Sequence, residues 1–220
     1  MTTTTTQPNP SYVSARPDLL AMLSSDCHRA LDIGCAEGAL GAALKTRNPA
    51  AEVTGIEFDQ TMATRAADHL DRVLTVDAMT ALDALIAEGQ QFDLVICGDV
   101  LEHLEDPWSA LRQIRQLCPI GQVVISLPNI GHWTTWWSVL ARGYWPYRER
   151  GIHDRTHLRF FARNNLPELF AKTGFEIVEL RTSHRLLETP GRWSRMLGRS
   201  LGWIPVLGRL TAYQFLCVVR

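Results

Sequence analysis

Along the first 127 residues, short apolar runs rich in β-branched residues alternate with stretches whose apolar positions recur every three or four residues. The first kind ("RALDI", "AEVTGIE", "RVLTV", "FDLVICG", "GQVVISLP") predicts buried strands. The second ("GALGAALKT", "QTMATRAADHL", "MTALDALIAEG", "DPWSALRQIRQLC") predicts helices with one core-facing side. Strand–helix alternation calls for crossovers between parallel strands, and hence a doubly wound α/β sheet. Upstream, "SYVSARPDLLAML" predicts a helix with Pro17 in its first turn.

After Pro128 the pattern changes. Trp133, Trp136, Trp137, Trp145, Trp193 and Trp203 all lie beyond it, as do four of the seven histidines. A helix is predicted from Asn164 or Asn165, with an Asn cap, Pro167 in its first turn and Gly174 at its end. "FEIVELRTS" and "AYQFLCVVR" read as strands. The Gly-, Pro-, Arg- and Trp-rich span between them reads as an excursion of short helices.

The 220 residues suffice for one domain, read as 15–220, and residues 1–14 read as a disordered polar tail. A hydrophobic share of 46% and a charged share of 20% suit a soluble core, and a net charge of -1 gives no field to attract nucleic acid. The five cysteines are scattered and form no CxxC pair, as expected of reduced thiols in a cytoplasmic protein. Residues 116–141 carry no Asp, Glu, Lys or Arg, but Pro119, Gly121, Pro128, Asn129, Gly131 and His132 interrupt them, so a strand and a loop fit better than a membrane span.

"RALDIGCAEGALG" is a strand, a glycine turn and a helix start, where backbone can approach a ligand closely. Gly34, Gly38 and Gly41 are spaced G-x-x-x-G-x-x-G, which is neither the dinucleotide fingerprint nor a Walker loop. NAD and ATP therefore lose ground. In Asp32, Gly34, Cys35 and Gly38 the chain resembles the class I S-adenosylmethionine (SAM)-dependent methyltransferases, with Ala36 where a glycine is common. The resemblance implies a Rossmann-like seven-stranded, mostly parallel sheet with an antiparallel last strand, a C-terminal helical insertion or lid, and SAM as cofactor.

It also implies roles for further residues. Glu57, nineteen positions past Gly38, would take the ribose hydroxyls and Phe58 would lie against the adenine. Asp77, Ala78 and Met79 would meet the adenine edge, and Gly98 the methionine amino group. Tyr12 and Arg16 are candidates to cover the cofactor's carboxylate end.

Methyl transfer from a sulfonium is an in-line displacement, and a hydroxyl acceptor must lose its proton as it attacks. "GDVLEHLEDPW" lacks the Asn/Asp-Pro-Pro motif of nucleic-acid amino methyltransferases. It resembles the "LEH" of small-molecule O-methyltransferases, including those acting on quinone precursors, with Glu102 and His103 opening the next helix. The segment from Leu127 to Phe161 resembles one found in bacterial methyltransferases associated with polysaccharide biosynthesis, which implies a sugar hydroxyl as acceptor.

Trp133, Trp136 and Trp137 are spaced to share a helical face, either for a pyranose or as anchors of a lid. His157 and His132 are the leading candidates for the base, followed by His153, with Asp154 as an orienting carboxylate. Arg148, Arg150, Arg155 and Arg159 suit an anionic acceptor. No metal is assigned, because His153 and His157 lie four apart on a piece read as extended.

The acceptor-side cap is expected in 128–165 and 184–210. Rival readings are a quinone- or lipid-type acceptor with residues 199–210 touching a membrane surface peripherally, and a non-catalytic SAM-binding regulator. An NAD-linked oxidoreductase is opposed by the glycine spacing and by the lack of a Tyr-x-x-x-Lys pair. The oligomeric state is left open, with a dimer allowed.

Overall fold

The computed structural model describes residues 14–188 and 191–220, so most of the expected N-terminal tail, with Tyr12, lies outside the described residues. Seven strands hydrogen-bond in the order β3-β2-β1-β4-β5-β7-β6: β1 Arg29–Ile33, β2 Glu52–Ile56, β3 Arg72–Leu74, β4 Leu94–Gly98, β5 Gln122–Pro128, β6 Ile177–His184 and β7 Ala212–Val219. Each lies within a run that the apolar pattern marks as a strand, except that β6 runs one residue past "FEIVELRTS", to His184. The last strand, β7, is antiparallel to both β5 and β6.

The chain forms two compact units. The first comprises the residues through Ile96 with Gln116–Gln122. Here β1 pairs with β2 and β2 with β3, all parallel, and Asp32 stands opposite Gly55. Helices α1 (Pro17–Leu20), α2 (Ala39–Arg47), α3 (Gln60–Ala66) and α4 (Ala78–Ala87) belong to it. Leu31, Ile33, Leu44, Ile56, Leu82 and Leu85 are among its fully buried side chains. α1 is a single turn, shorter than "SYVSARPDLLAML" suggests. Arg16 before it sits at φ 42°, and its guanidinium pairs with Asp18 at 3.0 Å.

The second unit comprises Cys97–Arg115 and Val123–Arg220. Glu102 and His103 do not open a long helix as expected. They sit in a one-turn 3₁₀ segment, Leu101–His103. Pro107 explains the break, since it lacks an N–H and biases Asp106 away from helical torsions. Asp106 instead caps α5 (Pro107–Leu117), accepting from the amides of Trp108 and Ser109 at 3.1 Å.

Helix α6 (Trp133–Trp136) runs into a π-helical stretch, Trp137–Ala141, so the three tryptophans do not share one regular face: Trp136 and Trp137 are exposed. The helix expected at Asn164 or Asn165 is α7 (Asn165–Ala171), but no Asn164 side-chain bond caps it; Asn165 Oδ1 accepts from the Ala162 amide instead. Helices α8 (Arg192–Gly202) and α9 (Pro205–Thr211) fill the excursion between β6 and β7. Among the described residues no helix is long and apolar enough to cross a membrane.

Candidate functional site

In the first unit the turn after β1 is pinned to the end of β2: the amides of Gly34 and Cys35 donate to the Ile56 carbonyl at 2.8 and 3.0 Å. Gly34 and Gly38 adopt φ of 71° and 78°, the left-handed region open to glycine. Ala36 between them is also left-handed, at φ 49°, so the position where a glycine is common keeps a glycine-like conformation in spite of its Cβ. Glu57 holds that geometry, its Oε2 accepting from the Ala36 amide at 2.9 Å and its Oε1 from the Asp59 amide at 2.8 Å.

Phe58, between Glu57 and the Asp59 cap of α3, is 79% exposed, an aromatic face with nothing over it. Asp77 caps α4 by accepting from the Thr80 amide at 3.0 Å, and Ala78 and Met79 begin that helix. Asp32 is buried at the end of β1, and its Oδ2 has no hydrogen-bond partner among the described residues. Burial first, and the neighbouring Glu57 second, push its carboxyl up to about 7. The Cys35 thiol is pushed up by burial and then by both carboxylates, so it is a packing group and not a nucleophile. Two carboxyl groups beside a close-approach turn are a pair chemically suited to a cation.

In the second unit Gly98 ends β4. Asp99 beyond it is left-handed at φ 58°, with its Oδ1 accepting from Ser126 Oγ at 2.8 Å and from the Gln214 side chain. The histidines fall into two groups. His132 is wholly buried. Its Nε2 lies 2.9 Å from the Arg185 carbonyl, and its Nδ1 accepts from the Thr134 amide and lies 2.8 Å from Thr134 Oγ1. His153, equally buried, lies 3.0 Å from Thr135 Oγ1 by Nε2 and 2.9 Å from Glu188 Oε1 by Nδ1. Both imidazoles have both nitrogens engaged, which leaves neither a lone pair for an acceptor proton. Burial lowers the pKa of His132, an effect partly offset by the Arg185 carbonyl and Glu188.

His157 differs. Its Nδ1 lies 3.2 Å from the Ile152 carbonyl, which fixes the proton there and leaves Nε2 as the basic nitrogen, 4.0 Å from Oε1 of buried Glu102. The His103 ring meets it edge-on, with centroids 4.8 Å apart, and the His103 Nδ1 lies 3.1 Å from Thr156 Oγ1. Burial first, then His103, lowers the His157 pKa below the ordinary 6.5, against weaker opposing effects of Asp154 and the Ile152 carbonyl. Asp154 acts on the turn, its Oδ1 accepting from the Thr156 amide and hydroxyl.

The structure thus separates His153 from His157, and it brings Glu102 and His103 to His157, a grouping that no local spacing announces. One donor atom from each of Glu102, His103 and His157 lies within 4.8 Å of the others. A tetrahedral ion needs its ligands about 3.3 Å apart, so the trio would have to contract to hold one.

The sequence matches the methyltransferase-domain family over residues 10–180. It is 31% identical over 157 residues to the ubiquinone biosynthesis O-methyltransferase of Pseudomonas aeruginosa, covering 69% of this chain and 66% of that relative's length. Among solved structures it resembles a SAM-dependent methyltransferase from Archaeoglobus fulgidus, with a TM-score of 0.67, 18% identity, and coverage of 96% of this chain and 94% of that one. It also resembles the magnesium protoporphyrin IX methyltransferase of Synechocystis with bound SAM, with a TM-score of 0.54, 16% identity, and coverage of 91% and 73%.

Proposed function

The chain belongs to the methyltransferase-domain family, and from that premise we propose that it transfers the methyl group of SAM to a hydroxyl of a small, quinone-type acceptor. When bound, the cofactor supplies an electrophilic methyl group on a cationic sulfonium. Asp32, whose buried Oδ2 lacks a partner among the described residues, counters the cofactor's positive charge, and Glu57 takes its ribose hydroxyls. The Gly34–Gly38 turn admits it at close range, Phe58 offers a stacking face for adenine, and Asp77, Ala78 and Met79 form its edge. Gly98, at the end of β4, enters this proposal through the resemblance alone, as the partner of the methionine amino group.

The observation that carries the acceptor reading is His157: its proton is held on Nδ1, its Nε2 lone pair is directed to the Glu102 side, and burial keeps it neutral near pH 7. It takes the acceptor's proton on Nε2, and the Glu102 carboxylate stabilises the resulting imidazolium.

Magnitudes favour a phenolic hydroxyl over a sugar. A phenol near pKa 10 is about 6 units more acidic than an alcohol nearer the ~15.7 of water, so its proton is about 8 kcal/mol easier to hand to the same base. The sugar acceptor and the polysaccharide role suggested by the Leu127–Phe161 segment gain no support from the relatives compared, which are named for ubiquinone biosynthesis. Trp136 and Trp137, exposed beside α6, suit a flat aromatic acceptor as well as a pyranose.

The test uses SAM with a labelled methyl group, a panel of dihydroxylated aromatics and a panel of free sugars. Label should pass to the aromatics, with release of S-adenosylhomocysteine, and should persist in the presence of a chelator. Transfer to sugars alone would overturn the acceptor class, and loss of turnover with chelator would hand the Glu102–His103–His157 trio to an ion.

A further inference from the structure

The two helices between β6 and β7 pack with their small residues inward. On α8, Ser194 and Gly198 are buried. Ser194 Oγ accepts from the Leu187 amide at 2.8 Å and donates to the Leu187 carbonyl at 3.2 Å. A Cβ on Gly198 would fall 2.8 Å from the Arg185 backbone, and one on Gly208 of α9 would fall 2.5 Å from the Gly202 carbonyl oxygen. The helices are therefore held at backbone distance, with no room for a large side chain beneath them.

Their bulk points outward. Trp193, Met196 and Leu197, spaced three and four apart, line one exposed stripe of α8, and Trp203, Ile204 and Val206 continue it. Trp193 is 74% exposed and Trp203 89%. Exposed tryptophans on a helix whose inner face is closed mark a surface that meets something.

Charge says what it meets. Arg192, Arg195 and Arg199 flank the stripe and Arg209 follows on α9, while the sequence has no Asp or Glu after Glu188. A second copy presenting the same face would oppose arginine to arginine. A bilayer with anionic headgroups matches both features, since tryptophan rings favour the headgroup boundary and guanidinium groups favour phosphate. We propose that the α8–α9 face docks on the surface of an anionic lipid bilayer, with Trp193 and Trp203 at the acyl boundary and the arginines on lipid phosphates. Vesicle binding is read without acceptor or SAM, so this inference and the methyl-transfer reading fail separately.

The full chain should co-sediment with vesicles of phosphatidylcholine containing about 30% phosphatidylglycerol but not with phosphatidylcholine alone, and should be released by about 0.5 M salt. Each arginine contributes about five-fold near such a surface, so Arg195→Gln with Arg199→Gln should lower partitioning about 25-fold. Trp193→Ser with Trp203→Ser should abolish it, with circular dichroism and melting showing that both variants are folded. Failure of the wild type to sediment, or binding unchanged in the folded variants, overturns the proposal. So does a lipid-free dimer that the tryptophan variant dissociates, because a second copy then owns the face.

Discussion

Asp32 in the first unit and Glu188 in the second are both buried carboxylates, and the protein treats them in opposite ways. For Glu188, burial alone would raise the pKa, but His153 at 2.9 Å, Arg148 at 3.6 Å and Thr134 at 3.0 Å outweigh it and hold the group below its ordinary range. Asp32 has no such company: burial and Glu57 both push it up, to about 7. Glu188 also has one buried oxygen, Oε2, without a hydrogen bond among the described residues, so what separates the two is the charge around them: an acid compensated by His153 and Arg148 holds structure together, and one that faces a second carboxyl beside a glycine turn suits the proposed ligand with its positive charge. The histidines divide along the same line. His132 and His153 have spent both ring nitrogens within the fold, and His157 has kept one.

The sharpest way to break this division is through the histidines. His157→Ala should lower kcat by about 10² to 10⁴, the usual worth of a placed base, while S-adenosylhomocysteine affinity measured by calorimetry stays at the wild-type value. His153→Ala should do the reverse. It leaves Glu188 buried without its nearest partner, at a cost of about 3 to 5 kcal/mol and a melting temperature lower by roughly 10 °C, with kcat per folded molecule retained. A kcat loss in His153→Ala matching that of His157→Ala would dissolve the distinction between the two groups.

Phe58 tests the ligand-facing half with a smaller effect. Exposed at 79%, it has little packing to lose, so Phe58→Ala should leave melting unchanged while weakening cofactor binding by about 1 to 3 kcal/mol, the worth of one stacked base. A fall in melting temperature with unchanged affinity would make it an ordinary packing residue.

How much of this was legible follows from the distance over which each feature is encoded. The strands, and the Asp32–Gly38 turn with Glu57 beyond it, lie in contiguous or neighbouring runs whose periodicity and spacing are local, so the sheet and the candidate cofactor residues can be read from the chain. The histidine pairings cannot. His153 meets Glu188 35 positions away and His103 meets Thr156 53 away, so "GIHDRTHLRFF" shows the imidazoles but not which of them is already occupied.

Helix α8 illustrates a different limit. Its three- and four-residue period is plain in the sequence, but a helix with Ser194 and Gly198 on one face and Trp193, Met196 and Leu197 on another can pack either way. Only the close approach of Arg185 shows that the small face is the buried one.

The charge state of Asp32 tests its contrast with Glu188 directly. Asp32 titrates at 3.8 in the unfolded chain and at about 7 in the folded one. The folded state therefore binds more protons between those values, and the contribution of Asp32 to stability is fully present below 3.8 and is lost as pH rises through 7. The shift corresponds to at most about 4 kcal/mol. Asp32→Asn removes the titration but buries an amide that also needs partners, at about 1 to 3 kcal/mol.

The difference leaves the ligand-free variant at most about 1 to 3 kcal/mol more stable than wild type at pH 8, or roughly 2 to 12 °C in melting temperature, and less stable than wild type at pH 4. Cofactor affinity should fall at both pH values. Thermal melts at pH 4 and pH 8 check the reversal: if Asp32→Asn destabilises the protein equally at both, the charge of Asp32 is compensated within the fold as that of Glu188 is, and the two regions are built alike.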